Sequence, residues 1–183
     1  MIDLTVSRRY AKALLTLGKE DGKFKEYGEE LRAFSQLLDR EPELKHAMLN
    51  PVYGMEERKK LLLKIVDLLK LAPIMGNFLK LLFDKHRIGA LPGISLVYQQ
   101  LVDAEENVSR AKVTAAVALD EAMRDRLRQA LEELTKSRVV MEVEEDPTII
   151  GGIVAQVGDL VLDGSVRTQL FSLRESLIRG EVG

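Results

Sequence analysis

The spacing of apolar residues changes period once along this chain. From Leu4 to about Arg110 they recur every three or four residues, and Phe24, Tyr27, Leu31, Phe34 and Leu38 give the clearest single stripe. That spacing places them on one face of a helix. After Asn107 the pattern shortens to alternation, as in Val139-Val140-Met141-Glu142-Val143-Glu144, which is the period of a strand with one solvated face. A chain that changes period in this way folds as two units of different class. The expectation is a mainly α protein, with an N-terminal six-helix bundle over residues 1–105 followed by a small α/β domain over residues 106–183.

Breakers divide the first part. Asp21-Gly22 closes a helix over about Thr5–Lys19, in which Val6, Tyr10, Ala13, Leu14 and Leu17 share a stripe. Pro42 suits the first turn of a short third helix that ends at Asn50-Pro51. A fourth helix over about Glu56–Leu71 would bury Leu61, Leu62, Ile65, Leu68 and Leu69. A fifth opens at Pro73 and reaches about His86, and a sixth follows Pro92-Gly93 to about Ser109. Short connections favour antiparallel neighbours.

The second part reads strand, helix, strand, hairpin, helix. Lys112–Ala118 is strand-like, with Val113, Ala115 and Val117 on one face. Asp120 is placed to cap a helix through about Lys136, whose stripe is Met123, Leu127, Ala130, Leu131 and Leu134. Two apolar runs flank Gly158-Asp159, the spacing of a tight hairpin with glycine at its first turn position. Asp163-Gly164-Ser165 then leads into an amphipathic helix bearing Val166, Leu170, Leu173 and Leu177.

Composition removes several function classes. Lys and Arg number 27 against 29 Asp and Glu, a net charge of -2, so no global basic field exists to hold nucleic acid. There is no cysteine, hence no thiolate nucleophile or thiolate metal site, and only His46 and His86 supply imidazole. No run approaches the ~20 apolar residues of a membrane span, and Met1–Arg9 leaves no room for a signal sequence's apolar core. The expected setting is cytoplasmic, without membrane insertion.

Motifs of catalysis are missing as well. The chain has no phosphate-cradling Gly-x4-Gly-Lys-Ser/Thr, no His-Glu-x-x-His and no Gly-x-Ser-x-Gly. Gly151, Gly152 and Gly158 stand before a hairpin rather than between strand and helix, so a structural role is preferred to a phosphate loop. Glu142, Glu144, Glu145 and Asp146 read as a solvated edge rather than a cation site. His86 falls near a helix C-terminus, where a basic side chain complements the macrodipole, and His46 receives the same surface reading. Ser165 and Arg167 could hold an anion at a helix start, yet a helix cap from Asp163 or Ser165 accounts for that spot without a ligand. No cofactor, metal or small-molecule substrate is expected.

What the sequence has in excess is apolar helix surface. In the fifth helix Ile74, Met75, Phe78, Leu79, Leu81, Leu82 and Phe83 cover most of the circumference, whereas a bundle helix needs about three apolar positions per heptad. In the first helix a second row, Leu4, Ala11 and Leu15, runs beside the stripe through Tyr10 and Leu14. Either both helices are buried all round, or together they line a groove for a partner's amphipathic helix.

The strings Arg9-Tyr10-Ala11-Lys12-Ala13-Leu14, Asn50-Pro51, Asp84-Lys85-His86-Arg87-Ile88, Gly151–Asp159 and Asp163-Gly164-Ser165-Val166-Arg167 with Leu170 resemble, in order and spacing, the delta subunits of bacterial F-type ATP synthases, relatives of the mitochondrial oligomycin-sensitivity-conferring protein. The resemblance implies a non-catalytic stator component. Its helical bundle would hold the N-terminal helix of an alpha subunit, and its C-terminal domain would engage the end of the peripheral-stalk b subunit. On that basis Tyr10, Ala11, Leu14, Phe78, Leu81 and Leu82 are the expected groove residues, and Leu170, Leu173 and Leu177 the expected stalk contact. Gly151, Gly152, Gly158, Asp159, Asp163, Gly164, Ser165 and Arg167 form the family signature, with a structural role. The implied location is the cytoplasmic side of a bacterial plasma membrane. A helical adaptor in an unrelated assembly is the alternative.

Overall fold

The computed structural model describes the backbone of residues 4–179 and the side chains of residues 4–175. Two compact units divide between Asp103 and Ala104. The first contains α1 (Leu4–Glu20), α2 (Phe24–Arg40), α3 (Pro42–Leu49), α4 (Met55–Leu68), α5 (Pro73–Asp84) and all but the C-terminal end of α6 (Leu91–Glu105), with a 3-10 turn at Ile88–Ala90. Pro42 and Pro73 each open a helix in its first turn, where the missing N–H removes no intrahelical bond.

One core serves all six helices. Leu14, Leu31, Phe34, Leu62, Met75, Leu79, Leu82, Leu91, Ile94 and Tyr98 are fully or almost fully buried in it, and each large side chain so placed contributes about 1.5–3 kcal/mol. Polar groups fasten the seams. Glu30 on α2 accepts the Ala72 N–H (2.9 Å) at the head of α5, and the Tyr98 hydroxyl on α6 donates to the Phe24 carbonyl (2.8 Å) at the start of α2. At the α1–α2 turn the Tyr27 hydroxyl donates to Asp21, a bond that raises the phenol to about 12 and lowers the carboxyl. Gly18 permits the tight turn, because a Cβ there would lie 2.7 Å from the Phe24 Cα.

Two expected stripes are corrected. In α1 the buried row is Ser7, Ala11, Leu14, Leu15 and Gly18, while Ala13 and Leu17 are exposed. The small residues Ser7, Ala11 and Gly18 let the helix backbone approach its neighbours on that side, so the core takes that face. In α4, Leu68 and Leu69 are exposed, because the helix ends at Leu68 and Lys70 turns left-handed with φ of +50°.

The second unit holds β1 (Val108–Ala115), α7 (Glu121–Thr135), β2 (Arg138–Glu145), a 3-10 turn at Pro147–Ile149, β3 (Ile153–Val157), β4 (Leu160–Asp163) and α8 (Val166–Arg179). The sheet order is β2-β1-β3-β4. β1 and β2 are parallel, in register from Val108 opposite Arg138 to Ala115 opposite Glu145, and α7 is the crossover that parallel pairing requires. β3 pairs antiparallel with β1 and with β4.

One sheet face buries Ala111, Val113, Ala115, Val139, Ala155 and Val157 around Leu131 of α7. The opposite face is solvated and carries Lys112 paired with Glu144 (3.0 Å). The expected strand over Lys112–Ala118 is therefore displaced. β1 starts at Val108 and ends at Ala115, where its ladder with β2 closes, so Val117 lies beyond it and is 69% exposed. In α7, Asp120 caps by accepting the Met123 N–H (2.6 Å), and Lys136 ends the helix in the left-handed conformation. Of its predicted stripe Leu131 is buried and Leu127 half-buried, while Met123, Ala130 and Leu134 are exposed, so only the middle of the row packs on the buried sheet face around Val113 and Val139.

Candidate partner-binding surfaces

Helices α1 and α5 meet through Tyr10 and Phe78, whose rings stand edge to face with centroids 6.3 Å apart. Outward from this contact α1 presents Ala13 and Leu17, the latter 44% exposed, and α5 presents half-buried Ile74, exposed Asn77 and Leu81, which is 45% exposed. The spacing 10-13-17 on α1 and 74-77-81 on α5 gives each helix one row of three residues, flanking the ring contact.

The six residues expected to line a groove separate into two groups. Ala11, Leu14 and Leu82 are wholly buried and Phe78 nearly so, and all four belong to the unit's own core. Tyr10 and Leu81 reach the surface. Sequence reasoning missed Ala13, Leu17, Ile74 and Asn77 as surface partners of this pair. The signal exists in the sequence, since Tyr10, Ala13 and Leu17 form a recognisable row, but the expected groove takes only Tyr10 from it and adds Ala11 and Leu14, which the core buries.

The second surface is built where β4 passes into α8. Asp163 accepts the Ser165 N–H (2.9 Å) and the Thr168 hydroxyl (2.7 Å), and Ser165 Oγ accepts the Thr168 N–H (3.2 Å) as the helix cap. The Ser165 N–H, followed by the Thr168 hydroxyl, holds the Asp163 carboxyl below the usual carboxylate range. The glycines clamp against this cap. The Val166 N–H donates to the Gly151 carbonyl and the Gly164 N–H to the Ile153 carbonyl, both at 2.9 Å. Gly152, with φ of +83°, lies so close that a Cβ would come within 2.2 Å of the Gly164 carbonyl oxygen. The space a phosphate loop would enclose is thus filled by the chain's own backbone. Gly158 turns the β3–β4 hairpin with φ of +59°, and Asp159 completes the two-residue turn.

Beyond its cap α8 is exposed along most of its described length. Leu170, Phe171 and Leu173 are all more than half exposed; the Leu177 side chain lies outside the described residues. Arg167, in the first turn of α8, is exposed, and Asp146, whose carboxyl is lowered chiefly by Thr148, also feels its charge. Among the described residues no cluster of three or more acidic or histidine side chains could hold a metal ion, and no helix is long and apolar enough to cross a membrane.

A helical unit with an open apolar flank, followed by an α/β unit whose last helix is exposed beyond its cap, is the build of a docking protein. Comparison with known proteins agrees on which kind. Residues 6–177 match the family profile described as ATP synthase delta (OSCP) subunit. The chain is 44% identical over 181 residues to the ATP synthase subunit delta of Desulfosudis oleivorans and 46% identical over 181 residues to that of Desulfatibacillum aliphaticivorans, covering 99% of both chains in each comparison. A chain in the mitochondrial ATP synthase hexamer of Toxoplasma gondii shares the fold, with a TM-score of 0.71 and 20% identity over 94% of this chain and 97% of that one. The chain belongs to the ATP synthase delta (OSCP) subunit family, and it is a non-catalytic subunit of the peripheral stalk of an F-type ATP synthase.

Proposed function

We propose that this chain joins the catalytic head of the synthase to its stalk, with its six-helix bundle holding the N-terminal helix of an alpha subunit and its C-terminal unit holding the end of the b subunit. The observation that carries the first contact is the apolar flank of α1 and α5, where Ala13, Leu17 and Leu81 stay exposed beside a sealed core. An amphipathic helix laid there would cover the two rows, and small Ala13 allows close approach. Tyr10 and Leu81 carry over from the expected groove set, while Ala11, Leu14, Phe78 and Leu82 act from beneath by fixing the two helices. The second contact rests on exposed Leu170 and Leu173 of α8; Leu177, which the sequence adds to them, lies outside the described side chains. Held at both ends, the chain resists rotor torque, so that ion flow drives nucleotide synthesis. Its place is the cytoplasmic side of a bacterial plasma membrane, peripheral and within the complex.

Calorimetric titration with a synthetic peptide copying the N-terminal helix of the alpha subunit from the same source tests the head contact. One-to-one binding with a negative heat-capacity change supports it. A folded chain that leaves the peptide unbound refutes it.

A further inference from the structure

We propose that the face of α8 toward Ile150 selects an acidic, apolar partner segment, with Arg167 and Arg174 as the residues that set the choice. The inference rests on the reading that α8 meets the stalk, and it specifies the chemistry of that meeting. Ile150, Leu170 and Phe171 line an open cavity of about 490 Å³ together with Thr168, Arg167 and Arg174. The four α8 positions 167, 170, 171 and 174 fall on one helical face by their spacing of three and four. Apolar side chains form the middle of this surface and a guanidinium stands one helical turn to either side.

Three observations favour an acidic occupant. Arg174 has no ion-pair partner among the described residues, and Arg167 exerts only a minor pull on Asp146, whose own bonds are to Thr148. From Ala111 onward acidic residues outnumber basic ones, so this pair of arginines is a local positive island in an acidic unit. The unit's net charge would repel an acidic segment, and attraction must come from the island itself. Guanidinium forks also suit carboxylates geometrically, and two cations beside an apolar floor penalise a basic partner. Ile150 adds apolar surface from outside the helix: it is 65% exposed and projects from the loop that Gly151 ties to the start of α8.

The test uses the full chain and the water-soluble part of the stalk b subunit from the same source, its membrane span removed. Affinity is measured by calorimetry at about 0.01 M and about 1 M salt, between which the screening length falls from ~30 Å to ~3 Å. The wild-type chain should bind more weakly at high salt. The R167E/R174E double variant should lose roughly tenfold or more at low salt and show a flattened salt dependence. Should the double variant fail to give the wild-type circular dichroism spectrum, R174E alone, away from the cap, carries the same test with a smaller loss. Wild-type affinity and salt dependence in a folded variant overturn the charge proposal and leave the stalk contact standing. No binding by the wild-type chain overturns the stalk reading, and the proposal falls with it. Binding to phosphatidylglycerol vesicles that needs both arginines, alongside b-subunit binding that needs neither, assigns the island to a membrane surface and overturns it too.

Discussion

At the residue scale, Gly152 and Gly158 look alike in sequence and differ in consequence. Both have positive φ, but a side chain at Gly152 would meet the Gly164 carbonyl, whereas nothing lies within 4 Å of a Cβ at Gly158. Gly158→Ala should therefore cost about 1–2 kcal/mol of left-handed strain. Gly152→Ala should cost more than ~3 kcal/mol, because strain is joined by a backbone displacement that breaks the clamp on α8. Urea unfolding of the two variants, followed by circular dichroism, measures the difference. Asp163 supplies a pH dependence. Its folded pKa is depressed, so its contribution is complete above the ordinary carboxylate value of ~3.9 and is lost as pH falls below it through the folded value. The protection factor of the Ser165 amide, its exchange relative to the unprotected rate at the same pH, should fall over that acid range in the wild-type chain, and Asp163→Asn, which does not titrate there, should remove that dependence.

At the element scale, α5 offers two adjacent leucines with opposite roles. Leu82 is wholly buried, and Leu82→Ala should destabilise the helical unit by about 2–5 kcal/mol. Leu81 lies half open, so Leu81→Asp should leave the thermal transition within a few degrees of wild type while abolishing binding of the alpha-subunit helix, as read by calorimetry. The same contrast explains how far sequence pattern reaches. α2 was fully legible, since Tyr27, Leu31, Phe34 and Leu38 form a single apolar row and that row is its buried face. α1 carries two rows side by side, and periodicity identifies both without saying which one the core takes; small residues on one row decided it through close packing. α7 failed differently, because its stripe is continuous in sequence but only its middle, at Leu127 and Leu131, meets the buried sheet face. The clamp of Gly151, Gly152 and Gly164 was visible as a set of glycines, yet its cause, a loop pressed against a helix cap, joins segments about a dozen residues apart.

At the scale of the whole molecule, two cores share one chain. The helical core draws on residues from Ala11 to Val102, and the sheet core on residues from Ala111 to Val157. A fragment of residues 1–105 should fold alone, with a helical spectrum, and bind the alpha-subunit peptide with the affinity of the full chain. Loss of helical signal or of binding in that fragment would show that the head contact needs the second unit. The parallel pairing of β1 with β2 carries a further meaning for how the subunit is made. Its register joins Val108 to Arg138, so β1 waits for some thirty residues of synthesis, including a complete crossover helix, before its first ladder can close. The helical unit, with its complement of segments already emerged, has no such delay. A ribosome building this chain thus exposes a complete helical unit while the strands of the second unit are still unpaired, and α8, whose exposed row the proposed stalk contact would cover, emerges after both. On the proposed contacts, the fastening to the head would be ready before the fastening to the stalk.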